Sequence, residues 1–212
     1  MKLLSIQVGK IQTHDYQGEA WTTAYKKKPV DGAVFVNRLH VEGDEQYNKK
    51  HHGGEHRAVL MYCVEHYQKW AEEFNSELPH GSFAENFTVA GLDEQSVCIG
   101  DIYQVGDTVR LQVSQPRVPC YQIHRSLGID DITAIATALT RTGWYLCVLQ
   151  EGQVEAGMPI TLLERLYPDW TIYRAHDVMS NRKDKQKEAA ELSSIVELEP
   201  GWRERLEKSI KS

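Results

Sequence analysis

The chain has 212 residues, 41% hydrophobic and 25% charged, enough apolar material for a real core, which excludes a disordered chain and a disulfide-stapled miniprotein. The longest unbroken apolar stretch, Ala58 to Val64, is seven residues against the roughly 18 of a membrane span; with polar Gln7 and Lys10 too early for a secretory signal, a cytoplasmic protein with no membrane partner is expected. A formal net charge of −6 argues against a general nucleic-acid binder but leaves room for a local basic pocket that holds a small anion.

Most of the chain reads as short strands separated by Gly, Asp or Asn turns. Residues 32–37, 86–89, 101–105, 144–149 and 160–166 are rich in β-branched and aromatic residues, and Thr108–Ser114 alternates with Val109, Leu111 and Val113 on one face. Two stretches interrupt that pattern. In Val64–Phe74 the apolar residues Val64, Tyr67, Trp70, Ala71 and Phe74 recur at helical spacing, as do Ile132, Ile135, Ala136 and Leu139 in 130–141, where Asp130 or Asp131 is a plausible N-cap. After Leu166 the breaker Tyr167-Pro168-Asp169-Trp170 opens a charge-rich helical tail with nine residues of each sign, so the body holds the whole −6. Helices of about ten residues are marginal alone. The tail is therefore expected either to dock as a small bundle or, more simply, to be a solvated appendage. The fold class expected is mainly β with α excursions, divided into a body over 1–166 and a helical domain over 167–212.

The four cysteines, Cys63, Cys98, Cys120 and Cys147, include no CxxC pair, so neither a zinc ribbon nor a usual iron–sulfur motif is visible. Cys63 and Cys147 sit in apolar runs and read as core. Cys120 is different, because Pro116 and Pro119 stiffen the backbone before it and Arg117 would favour the thiolate, the form that ligates soft metals or attacks electrophiles. The run from Lys49 to Arg57 sets a Gly53-Gly54 pair among Lys, His and Arg side chains, a combination suited to an oxyanion. A zinc hydrolase using His51, His52 and His56 is an outside reading, weakened by the glycines between the histidines. A third candidate places Glu85 and Asn86 where a glycine turn enters a strand and where paired acceptor and amide groups could read a heterocycle edge. Asn37, at the end of a strand, is a weaker candidate.

Taken together, His52-Gly53-Gly54 with Arg57-Ala58-Val59, then Gly81-Ser82-Phe83-Ala84-Glu85-Asn86-Phe87, then the stretch from Gly100 to Gly106, then Pro116-Arg117-Val118-Pro119-Cys120, resemble the MOSC domain family. The order of these motifs and the tail resemble the family's bacterial N-hydroxylaminopurine-resistance proteins, which carry a C-terminal three-helix domain. Ala84 departs from the pattern, which has glycine there. The resemblance implies a MOSC-type β-barrel binding a molybdenum cofactor (molybdopterin), with Cys120 as the molybdenum ligand and catalytic residue. It places Arg117, His52, Gly53, Gly54 and Arg57 around the pterin phosphate, and Asn37, Glu85, Asn86 and Phe87 on the pterin or substrate side. The activity implied is reduction of small N-hydroxylated base analogues to amines, a detoxification. The chain shows no dinucleotide fingerprint and no cluster-binding cysteine set, so an external flavoprotein reductase is the expected electron donor. A carrier of the cofactor or of sulfur is the alternative, and the helical tail suggests a homodimer.

Overall fold

The computed structural model describes residues 1–49 and 53–210. Its strands are β1 (Lys2–Val8), β2 (Gln12–Tyr16), β3 (Glu19–Thr23), β4 (Lys28–Pro29), β5 (Val34–Val36), β6 (Val59–Cys63), β7 (Phe87–Ala90), β8 (Ile102–Val105), β9 (Val109–Pro116), β10 (Trp144–Gln150), β11 (Gly152–Val154) and β12 (Ile160–Glu164). The helices are α1 (Val64–Phe74), α2 (Gln122–Leu127), α3 (Ile132–Ala138), α4 (Ile172–Ser180), α5 (Gln186–Ser193) and α6 (Pro200–Ile210), and a 3₁₀ turn covers Glu55–Arg57.

Eight strands form one sheet in the order β12-β8-β9-β10-β6-β7-β1-β4. All its strand pairs are antiparallel except β6–β7, which runs parallel because α1 carries the chain back across the sheet. β2–β3 and β5–β11 form separate two-stranded ladders. The barrel implied by the resemblance takes the form of a sheet without a continuous closed ladder. Its β12 and β1 ends meet through an isolated Lys2–Pro159 bridge and hydrogen bonds such as Leu3 N–H to the Met158 carbonyl at 3.0 Å.

The helix read over Val64–Phe74 has those bounds, with Tyr67 and Trp70 on its buried face. The 130–141 helix is shorter, Ile132–Ala138, and its expected acidic N-cap is not made. Asp131 holds the N-cap position in a left-handed conformation, φ 58°, where its side chain bonds no helix N–H.

The solvated-tail reading is overturned. Trp170, Ile172, Val178, Leu192, Leu198, Trp202 and Leu206 of the tail are buried in the same core as Tyr103 and Leu111 of the sheet and Val97 and Ile99 of the loop before β8. The backbone is stitched as well, by Ile99 N–H to the Trp170 carbonyl (2.8 Å) and Ile172 N–H to the Val97 carbonyl (2.8 Å). Fully burying each large apolar side chain contributes about 1.5–3 kcal/mol, so docking, not propensity, holds these short helices. No helix among the described residues is long and apolar enough to cross a membrane.

Candidate functional site

β9 ends in Pro116, and the stiff segment that follows lifts Cys120 out of the sheet to the start of α2, where the Cys120 carbonyl accepts the Ile123 N–H at 3.0 Å. The half-buried Cys120 thiol lies on a cavity of about 540 Å³, within the size range of cofactor and substrate pockets. The cavity is walled by the segment after β3, the 44–48 loop, Arg57, Leu60, Ala84, Asn86, the 118–122 segment and Tyr145.

Arg117 lies behind this wall, fully buried. Its guanidinium donates to the Phe83 carbonyl (3.1 Å), to the Thr142 carbonyl (3.5 Å) and to the phenols of Tyr25 and Tyr145, both of which line the cavity. Gly143 makes room for this arrangement. At φ +76° it donates to Glu94 and accepts the Arg117 N–H at 3.0 Å, and a Cβ there would stand 2.4 Å from the Met61 carbonyl oxygen. Burial alone would pull the Arg117 pKa down. Its contacts with Tyr25 and Tyr145 outweigh that and leave it above the ordinary arginine value, while burial pushes both phenols up. Arg117 forms no salt bridge among the described residues, and the groups that its guanidinium meets are the two phenols and the Phe83 and Thr142 carbonyls, all neutral.

The expected positive lining is corrected. Among the described lining residues Lys27 and Arg57 are matched by Asp44 and Glu45. Asp44 is buried and accepts from Gly9 N–H (2.7 Å), Lys27 Nζ (2.8 Å) and the Asn86 amide (2.9 Å), so Lys27 is already paired. Arg57 is held by Glu199 at 2.9 Å. Among the described residues, the positive charge left without a carboxylate partner at the site is that of Arg117, behind the wall.

The residues singled out in the sequence separate into two groups. Cys120, Arg57 and Asn86 line the cavity and Arg117 backs it. The Asn86 amide is spent on scaffolding, because its oxygen accepts the Leu60 N–H and its nitrogen donates to Asp44. Glu85 is fully buried, with one oxygen accepting from the Tyr67 hydroxyl (2.6 Å), Gly81 N–H (2.8 Å) and the Thr88 hydroxyl (2.8 Å); it braces the turn and does not line the cavity. Phe87 is a core residue, and Asn37 caps its own turn by accepting from Leu39 and His40 N–H. Gly53 and Gly54 are not among the lining residues, and His51 and His52 lie outside the described residues. Ala84 lines the cavity at φ 59°, which explains the glycine of the family pattern, since the left-handed region costs a side chain about 1–2 kcal/mol. Tyr25, Lys27, Asp44 and Tyr145 were not foreseen. They belong to no local motif and reach the site through the fold.

Cys147, read as core, is half-buried on a second, smaller pocket of about 180 Å³ with Arg38, Glu55 and His56. Its thiol lies 3.3 Å from His56 Nδ1 and is pushed up to about 11, by burial first and by the Glu55 charge second.

A sheet-dominated protein that presents one cysteine on a cofactor-sized cavity, with a buried arginine behind it, is the class that fold and site define. Within that class the MOSC domain pattern matches residues 48–161, more than half of the chain, and the chain belongs to the MOSC domain family as a YiiM-like member. It is 34% identical over 208 residues to Protein YiiM of Escherichia coli, covering 97% of this chain and 91% of that one. The uncharacterized Bacillus subtilis protein YflK is 40% identical over 163 residues, 77% of this chain and 73% of that one. A Gibberella moniliformis protein named reductase is 34% identical over 197 residues, which are 91% of this chain but only 35% of that longer one. The crystal structure of YiiM from Geobacillus stearothermophilus superposes with a TM-score of 0.83 at 31% identity, covering 99% of this chain and 98% of that one.

Proposed function

We propose that the chain is a molybdenum-cofactor-dependent oxidoreductase that reduces N-hydroxylated base analogues, such as N-hydroxylaminopurines, to the corresponding amines. The observation that carries the reading is Cys120, a thiol open to a 540 Å³ cavity and backed by a buried arginine that has no carboxylate partner among the described residues. A buried cation is costly unless an anion faces it. An anionic cofactor group in the cavity answers that requirement, and a cysteine sulfur is the ligand a soft metal takes. The donor set therefore fits the cofactor: Cys120 for molybdenum, and Arg57 for the pterin phosphate through N–H groups that Glu199 leaves over. When bound, the cofactor would supply two-electron oxygen-atom chemistry.

The chain's own contribution is placement. Pro119 and the first turn of α2 fix the direction of the sulfur, and Arg117 anchors the Tyr25 and Tyr145 phenols of the wall beside it. Tyr25 and Tyr145, kept neutral by burial, offer hydroxyls beside it. Overall, the N–O bond gives way to N–H, two electrons and two protons are taken up, and water leaves. The electrons come from a separate flavoprotein reductase. The Gibberella protein named reductase, of which this chain spans about a third, supports the reductive direction of the chemistry.

The test is purification from a host that makes the cofactor, elemental and pterin analysis, and turnover of an N-hydroxylated base with a chemical reductant. Molybdenum and turnover in the wild type, both lost in Cys120→Ser, are expected. Molybdenum without turnover would mark a carrier instead, and full activity in Cys120→Ser would end the thiolate reading.

A further inference from the structure

The contact between Arg57 and Glu199 joins residues 142 positions apart and links the cavity wall to the helical unit. Glu199 precedes Pro200, the first residue of α6, and acts as that helix's N-cap: one carboxylate oxygen accepts the Trp202 N–H at 2.8 Å. The other oxygen accepts from the Arg57 guanidinium at 2.9 Å. The Glu199 N–H donates to the Ser114 carbonyl (3.0 Å), and the Ser114 hydroxyl donates to the His56 carbonyl (2.6 Å). Ser114, His56, Arg57 and Glu199 thus close a ring that clamps the 3₁₀ turn between β9 and the helical unit.

The choice of residue is informative. Asp, Asn, Ser and Thr are the preferred N-caps, and glutamate is not among them. A shorter aspartate could serve α6 but would fall one methylene short of Arg57. Both Arg57 and Glu199 are mostly buried, so the pair is shielded from the screening that makes surface ion pairs weak. Arg57 spends one nitrogen on Glu199 and keeps further N–H donors at the cavity.

We infer that Glu199 is a positioning residue for anion binding. It fixes the Arg57 guanidinium so that its free edge faces the cavity, which makes the C-terminal helical unit part of the anion-binding wall. The inference rests on reading Arg57 as the phosphate-facing cation, and it assigns the helical unit a role beyond stability. A held fork loses less freedom on binding than a mobile one, so the effect falls on affinity.

The discriminating variant is Glu199→Asp, which keeps the cap and withdraws the carboxylate from Arg57. Isothermal titration of the cofactor-free protein with inorganic phosphate is expected to show binding weakened about five- to ten-fold, with a single cooperative melt, at a lower temperature, that shows the fold is kept. Arg57 side-chain NMR signals are expected to lose hindered rotation in the same variant. In Arg57→Ala, adding Glu199→Asp should change phosphate affinity no further. Wild-type affinity in Glu199→Asp, or a loss that persists in the Arg57→Ala background, overturns the inference. A wild-type protein that reduces N-hydroxylated base yet binds no phosphate overturns it too, while leaving the redox reading intact.

Discussion

Cys120 and Cys147 are both half-buried, and both face a pocket beside the same 3₁₀ turn, whose Arg57 lines the large cavity and whose His56 lines the small one. The difference between them lies in what stands behind the sulfur. Cys120 has a buried guanidinium and two neutral phenols nearby. Cys147 has burial and the Glu55 charge, with the His56 imidazole 3.3 Å away, and its thiol is pushed up to about 11. Thiolate chemistry follows charge and access, so the two half-buried cysteines stand in different settings, Cys120 on the wall that Arg117 backs and Cys147 beside the Glu55 charge, and the proposed ligand role falls to Cys120.

The widest separation is expected in turnover and metal content. Cys120→Ser should lower N-reduction by at least about 100-fold and remove molybdenum, since a hydroxyl is a poor ligand for a soft metal. Cys147→Ser should stay within about two-fold of wild type. Equal losses in the two variants, measured by elemental analysis and by reduction of an N-hydroxylated base, would break the contrast.

Arg117→Met probes the charge behind Cys120. It strands the Phe83 and Thr142 carbonyls and removes the donor to two phenols, at an expected cost of about 2–4 kcal/mol in denaturant unfolding. Alkylation of Cys120 at pH 7 should slow in this variant while that of Cys147 is unchanged. A loss of stability without the selective slowing would reduce Arg117 to a structural role.

Alkylation of the wild type gives the pH signature. A thiol at about 11 instead of 9.0 carries about 100-fold less thiolate at pH 8. Cys147 should therefore react with iodoacetamide about 100-fold more slowly than an ordinary thiol of the same exposure, and its rate should climb about ten-fold per pH unit until near 11. Peptide mass spectrometry over a pH series reads both cysteines at once.

This contrast was half legible in the sequence. Cys120 and Arg117 share a short, rigid motif, and local spacing was enough to single both out. Helix α1 was equally open, because its apolar stripe and its fold agree. What escaped was non-local. β6 is buried throughout, so its unbroken apolar run carries no period, and polar β2 and β3 pair chiefly with each other. Glu85 and Asn86 have the chemistry of ligand readers, but the fold spends their polar atoms on Gly81, Leu60 and Asp44. The composition of the tail, nine charges of each sign, concealed a buried stripe from Trp170 to Leu206 that joins the sheet core. Cys147 was read as core from its apolar neighbours, yet in β10 it alternates with buried Leu146 and Val148 and so turns to the opposite face.

Ser114 belongs to both settings and gives the finest test of their separation. Its single O–H proton is shared between the His56 carbonyl at 2.6 Å and the Tyr145 carbonyl at 3.0 Å, and its hydrogen bond with the Cys147 sulfur lowers that thiol's pKa. Ser114→Ala should cost about 1 kcal/mol, read as a fall of about 2–4 °C in melting temperature for a chain of this size. With that donor gone, the Cys147 pKa rises further and its alkylation at pH 8 slows, whereas Cys120, in whose wall Ser114 holds only the Tyr145 backbone carbonyl, keeps its rate. The backbone link from Glu199 N–H to the Ser114 carbonyl survives the substitution, so phosphate binding at Arg57 should change less in Ser114→Ala than in Glu199→Asp. If both cysteines slow together, the turn at 55–57 transmits strain from one pocket to the other, and the two are a single site with two mouths.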